Sequence, residues 1–194
     1  MKDPAIRNLL KRTELSQYIN DFHSKVVEEM NLPVAKARID IAVINGHMHG
    51  FEIKGSNDTL KRLPSQLTAY QKVFDYVTII TELKYHERIL NFIPDWIGVS
   101  VCSDKKDENE FEVIKPPCFN ENKDGFYVAK LLWRDEISAL LMGQQIQFKK
   151  NDRCWTLCEI AQATIPIDLL SQLVRDTLKK RVDWKTDSLQ NTMQ

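Results

Sequence analysis

The elements read from this sequence run helix, strand, strand, helix, strand, helix, strand. That order predicts the α/β class: a mixed central β-sheet flanked by helices, with a helical C-terminal extension. Three observations carry the prediction. Residues 38–54, RIDIAVINGHMHGFEIK, hold two apolar runs around Asn45-Gly46, a strong hairpin signal. The runs YVTIIT (76–81) and WIGVSVC (96–102) are short, apolar and rich in β-branched residues, and each follows a helical pattern. From residue 131 onward the apolar positions recur at helical spacing. The chain therefore divides into an α/β core, 1–130, and a helical extension, 131–194, packed on or beside it.

Thr13 or Ser16 can start a helix running to about Met30, because Leu15, Ile19, Phe22 and Val26 recur at spacings of 4, 3 and 4. On such a helix Glu29 falls within about 40° of the apolar stripe, while Glu28 faces solvent. The hairpin strands follow, 37–44 and 50–54. A loop centred near residue 46 sets Asp40 opposite Glu52, and a one-residue shift would set it opposite Phe51. Glu52 and Lys54 share a face in either register. Asn57 or Asp58 caps a helix over 58–74, which Pro64 kinks or splits. Strand 76–81, a short helix 85–92 and strand 96–102 come next. The acidic run SDKKDENE (103–110) reads as an exposed loop, and FEVI (111–114) as an edge strand. Helices are expected over 134–143, 152–164 and 168–182.

The bulk numbers limit the function classes. With 194 residues, 43% hydrophobic and 28% charged, the chain has the composition of a soluble globular domain. Lys+Arg and Asp+Glu balance at 27 each, so any anion site must be local. Four cysteines form no C-x-x-C pair, and Cys154 and Cys158 sit one helical turn apart as core residues rather than metal ligands. There is no apolar run of about 18 residues and no secretory signal, so a cytoplasmic protein with no membrane partner is expected.

The acids of the hairpin need partners. Asp40 lies between Ile39 and Ile41, and Glu52 between Phe51 and Ile53. Two carboxylates 4 Å apart repel by about 4 kcal/mol at an effective dielectric near 20. A divalent cation removes that cost, since Mg²⁺ takes one or two carboxylates with waters and phosphate oxygens. Lys54 beside Glu52 can neutralise charge developing on a phosphate; it can equally be a simple ion-pair partner at a sheet edge. Gln66 and Tyr70, one turn apart on the next helix, can point to the same cleft.

Glu29, the R-I-D-I strand with Asp40, E-I-K at Glu52-Ile53-Lys54 and Q-x-x-x-Y at Gln66 and Tyr70 together resemble the PD-(D/E)XK nuclease superfamily, in its RecB-like branch. The longer string from R-I-D-I through P-D-W-I-G to L-L-W-R-D-E is similar to a family of largely uncharacterised bacterial proteins of this length, over residues near 26 to 145. The resemblance implies a restriction-endonuclease-like core and a Mg²⁺-dependent (endo)nuclease hydrolysing phosphodiester bonds in DNA, with RNA a further possible substrate and Mn²⁺ a possible substitute. It implies that Asp40, Glu52 and the Ile53 carbonyl bind the metal, that Lys54 positions or activates water, and that Glu29 helps bind or orient a metal-bound water. Gln66 and Tyr70 would contact the nucleic-acid backbone. No Pro precedes Asp40, where the superfamily often has one. The rival expectations are a non-cutting nucleic-acid-binding or protein-interaction module, and a partner-activated subunit of a defence or mobile-element system. A protein partner or a homo-oligomer remains open.

Other features offer weaker signals. Lys61 and Arg62 are candidates for phosphate contact or ordinary solvated charge. Arg38, two residues before Asp40, pairs with an acid or with phosphate. His47 and His49 can share one strand face, as a polar turn or as a metal pair lacking a third ligand. Arg175, Lys179, Lys180, Arg181 and Lys185 form a basic tail that suits either a DNA backbone or a helix C-terminus.

Overall fold

The computed structural model describes residues 3–55, 60–102, 111–182 and 184. Six strands form one sheet: β1 (Lys25–Asn31), β2 (Arg38–Ile44), β3 (Met48–Lys54), β4 (Tyr76–Glu82), β5 (Gly98–Cys102) and β6 (Phe111–Lys115). They lie side by side in chain order. β1–β2, β2–β3 and β5–β6 pair antiparallel, while β3–β4 and β4–β5 pair parallel through helical crossovers. The sheet is mixed, and FEVI lies in its edge strand, as expected.

Helices cover both faces. On one face, Ile41, Val43, Phe51, Ile53 and Ile80 pack with Ile6 and Leu10 of an N-terminal helix, α1 (Asp3–Arg12). On the other, Ala42, Ile44, Val77, Ile79 and Val99 share a larger core with several helices. These are α3 (Leu63–Gln71), α4 (His86–Leu90), α5 (Gly125–Ala129), α6 (Arg134–Gly143), α7 (Cys154–Thr164) and α8 (Ile167–Lys180). Residues of the C-terminal helices thus pack into the same apolar core as the sheet. No helix among the described residues is long and apolar enough to cross a membrane.

The expected helix from Thr13 or Ser16 to Met30 does not form. Only α2 (Ser16–Ile19) is helical, and β1 follows. The Asp21 carboxylate accepts from the His23 N–H at 3.0 Å and the Ser24 hydroxyl at 2.6 Å, closing a turn that ends the helix. Phe22, counted into the stripe, is 97% exposed. Glu29 accordingly stands on an edge strand and not on a helix. The 58–74 helix is split, as Pro64 allowed: a 3₁₀ turn over Leu60–Arg62 precedes α3, with Pro64 in its first turn. The Asn57 or Asp58 cap and the 103–110 loop lie outside the described residues.

One irregularity positions everything below. β1 and β2 pair as Glu28 with Ile41 and Met30 with Ile39, so Glu29 lies across from Asp40. Glu29 adopts a left-handed φ of 56°, a strained conformation for a side-chain-bearing residue, costing about 1–3 kcal/mol. On the other side, the β2–β3 ladder ends at Ile41 with Phe51. One step further brings Asp40 level with Glu52, the register of a loop centred on residue 46. Face alternation also breaks here. Ile39 joins the core of Ala42 and Ile44, whereas Ile41 and Val43 face α1. The sheet opens at Asp40.

Candidate functional site

β2 and β3 part where the site lies. Ile53 N–H takes the Asp40 side chain as its acceptor, at 2.7 Å to Oδ2. The carboxylate thereby wedges between the strand ends. Its other oxygen, Oδ1, lies 3.0 Å from Nη2 of Arg7 on α1, and Arg7 Nη1 also donates to the Asp40 carbonyl at 3.3 Å. The same guanidinium reaches Glu29 Oε1 at 2.6 Å. Arg38 Nε stands 2.6 Å from Glu29 Oε2.

Glu52 is 3% exposed, in a setting that requires full satisfaction of its charge. Its Oε1 accepts from Lys54 Nζ at 2.6 Å and from Gln66 Nε2 at 2.8 Å. Its Oε2 accepts from the Tyr70 hydroxyl at 2.6 Å. Lys54 also donates to Gln66 Oε1 at 3.0 Å, which fixes the orientation of that amide. Thr81 on β4 donates to the Lys54 carbonyl at 2.9 Å and ties the strand end to the sheet. Burial, and then the neighbouring Glu52 charge, push the Tyr70 phenol far above its ordinary range. It stays a hydrogen-bond donor at any working pH.

These groups line a cleft of about 450 Å³, bounded by the loop after β1 and by the start of α3. Glu29, Arg38, Asp40, Glu52, Ile53, Lys54, Arg62 and Gln66 all reach it. Tyr70 does not: it is fully buried and acts on the cleft through Glu52, so it is not placed to touch a ligand directly. Lys61 is exposed outside the lining. Arg7, Asn31, Lys36 and Ser65 line the cleft and were not anticipated. For Arg7 the available signal was the amphipathic spacing of Ile6, Leu9 and Leu10, which marks a helix, although nothing in it names the partner of the arginine. Lys36 lies in the short Pro33-containing connection between two strands, a place where cleft residues collect.

The electrostatics are balanced locally. Glu29, Asp40 and Glu52 meet Arg7, Arg38 and Lys54, and the exposed Lys36 and Arg62 add positive charge at the rim. The donors fit Mg²⁺ in kind, since two carboxylates and a backbone carbonyl are hard oxygen ligands. No three His, Cys, Asp or Glu side chains among the described residues group to hold a metal. Asp40, Glu52 and Ile53, the ligand set that the resemblance implies, all line the cleft.

Several of the remaining candidates are engaged by neighbouring side chains. His49 stacks on Phe51 with centroids 4.2 Å apart, and its Nε2 lies 2.9 Å from Thr78 Oγ1. Burial, with a smaller contribution from His47, lowers its pKa to about 4. His47 instead meets the edges of Tyr76 and Phe119. Cys154 and Cys158 are buried in the main core. Two members of the basic tail turn inward. Arg175 lies 3.4 Å from buried Asp75, and Arg181 pairs with Glu136 while stacking 4.3 Å from the Trp133 ring and 4.8 Å from that of Trp184. Lys185 lies outside the described residues.

The profile of the family described as Bacteriophage P4 protein cII matches residues 3–194. Protein cII of Enterobacteria phage P4 is 25% identical over 156 residues, which cover 80% of this chain and 59% of that protein. Among solved structures, a protein of unknown function from Silicibacter pomeroyi shares 11% identity with a TM-score of 0.41, over 71% of this chain and 92% of that one. With almost its whole length matched, the chain belongs to the bacteriophage P4 protein cII family.

Proposed function

We propose that this protein is a metal-dependent nuclease of the PD-(D/E)XK type, hydrolysing phosphodiester bonds in DNA. The observation that carries the reading is the convergence of Asp40, Glu52 and Lys54 at the point where β2 and β3 part, in a cleft with a cationic rim.

Asp40, Glu52 and the Ile53 carbonyl would hold Mg²⁺, which when bound neutralises phosphate charge and lowers the pKa of water. The chain's own groups do the rest. Tyr70 and Gln66 fix both oxygens of Glu52, so that its carboxylate does not rotate as charge builds nearby. Lys54 Nζ, held at Glu52 and Gln66, presents a cation to the attacking oxygen or to the phosphate. Lys36 and Arg62 at the rim draw in the phosphate backbone by charge alone, which gives affinity without sequence preference. The kinship with a phage protein favours a mobile-element setting for this activity.

A non-cutting binding module is the second reading, favoured by the charge balance that Arg7, Arg38 and Lys54 already provide. Incubation of circular and linear DNA with the full chain, with and without Mg²⁺ or Mn²⁺, separates the two. Metal-dependent nicking by wild type, lost in Asp40→Ala and Lys54→Ala, supports the nuclease. DNA retention without cleavage at any metal concentration supports the module.

A further inference from the structure

Glu29, Asp40 and Glu52 stand at one level of three adjacent strands, and a guanidinium from a separate helix is inserted into this row. Arg7 engages Glu29 Oε1 at 2.6 Å and Asp40 Oδ1 at 3.0 Å, with Glu28 Oε2 3.9 Å away. Its side chain is only 15% exposed. We propose that Arg7 is a built-in counter-ion of the acidic row, and that a divalent cation binds Asp40 only by displacing it. This rests on the reading of the cleft as a cation site.

Both Asp40 oxygens are engaged. Oδ2 accepts from the Ile53 N–H, a backbone group held in place by the pairing of β3 with β4 through Lys54. Oδ1 holds a side chain that can swing away. A dication at Oδ1 and a guanidinium at the same atom repel strongly in a half-buried site. α1 is held to the sheet by Ile6 and Leu10, by the Arg7 contacts and by Lys11 Nζ at 2.6 Å from Glu28. Two of these attachments are ionic and involve the acidic edge itself. Cation binding and α1 docking therefore oppose each other, and by linkage each weakens the other equally.

The test is Mn²⁺ binding to the full chain, followed by the loss of the free-ion paramagnetic resonance signal. Arg7→Gln should bind Mn²⁺ about tenfold more tightly than wild type, or better. Lys11→Gln, on the same helix but paired with Glu28 instead of Asp40, should stay within about twofold of wild type, as expected for an exposed pair. Mn²⁺ should also speed amide exchange in α1 of wild type. Equal or weaker Mn²⁺ binding by Arg7→Gln, with measurable wild-type binding, overturns the role of Arg7 and leaves the cation site standing. No Mn²⁺ binding by any variant overturns both. If Arg7→Gln does not fold, Arg7→Lys decides: it keeps the charge but loses the two-pronged grip. It should then bind Mn²⁺ more tightly than wild type, and unchanged affinity would refute the displacement.

Discussion

Replacing Tyr70 with Phe removes one atom from the site, and the consequence can be worked from the geometry. The hydroxyl lies 2.6 Å from Glu52 Oε2 and 3.1 Å from the Arg38 carbonyl, and its single proton goes to the nearer, charged acceptor. Without it, Oε2 loses this donor in a nearly buried position, while Oε1 keeps Lys54 and Gln66. A hydrogen bond to a charged group contributes about 1.5–3 kcal/mol, so Tyr70→Phe should be about 2 kcal/mol less stable. That corresponds to roughly 4–8 °C in Tm for a domain of this size. The pH dependence gives a sharper signature. The folded-state phenol pKa is raised, so its contribution is intact below the unfolded value near 10 and declines as pH rises beyond it. Wild type loses about 1.4 kcal/mol per pH unit there, and the Phe variant does not. The two stabilities should converge about one and a half pH units above 10. Urea titrations from pH 7 to 12 measure this. A deficit under about 0.5 kcal/mol at pH 7, or one that stays constant to pH 12, would refute the assignment of the Glu52 hydrogen bond.

Two other substitutions probe the frame at the other end of β3, near the hairpin turn. Asp75 is 2% exposed and receives the Met48 N–H at 2.7 Å together with Lys123 and Arg175, so it joins the hairpin to α8. Asp75→Asn strands two cations and should cost about 3 kcal/mol or more by urea unfolding. His49, neutral in the fold because its pKa is lowered to about 4, adds stability that is present above its ordinary value near 6.5 and is lost as pH falls toward 4. His49→Gln should flatten that acid-side decline by up to one proton in the slope of stability against pH, and an unchanged slope would point to another group.

Much of the fold was legible because local and tertiary preferences agree over most of the chain. The Asn45-Gly46 hairpin, the YVTIIT strand and the helices from 134 onward each combine a clear period with suitable ends. The first thirty residues misled because Leu15, Ile19, Phe22 and Val26 share a helical spacing by coincidence. Adjacent Val26 and Val27 prefer a strand, β2 offered an edge to pair with, and Asp21 closed a turn between them. In the site, Asp40, Glu52, Lys54 and Gln66 were readable from spacing within one hairpin and the next helix. The position of Glu29 facing the cleft was anticipated from the wrong element: a left-handed residue in an edge strand turns it there, which no periodicity encodes. Arg7 was invisible because its partner Asp40 is 33 residues away and only folding brings them together.

Phosphodiester cleavage by Lys54 and its acidic neighbours is the chemistry the cleft is proposed to perform. Single-turnover cleavage of a labelled DNA duplex across a Mg²⁺ series, for wild type and Lys54→Gln at matched DNA occupancy, tests it most directly. Wild type should cleave only with metal, and the variant should be at least about 100-fold slower, the scale of losing one transition-state charge partner. Wild type that binds DNA yet never cleaves it, or a variant that cleaves as fast, would rule out this chemistry at Lys54.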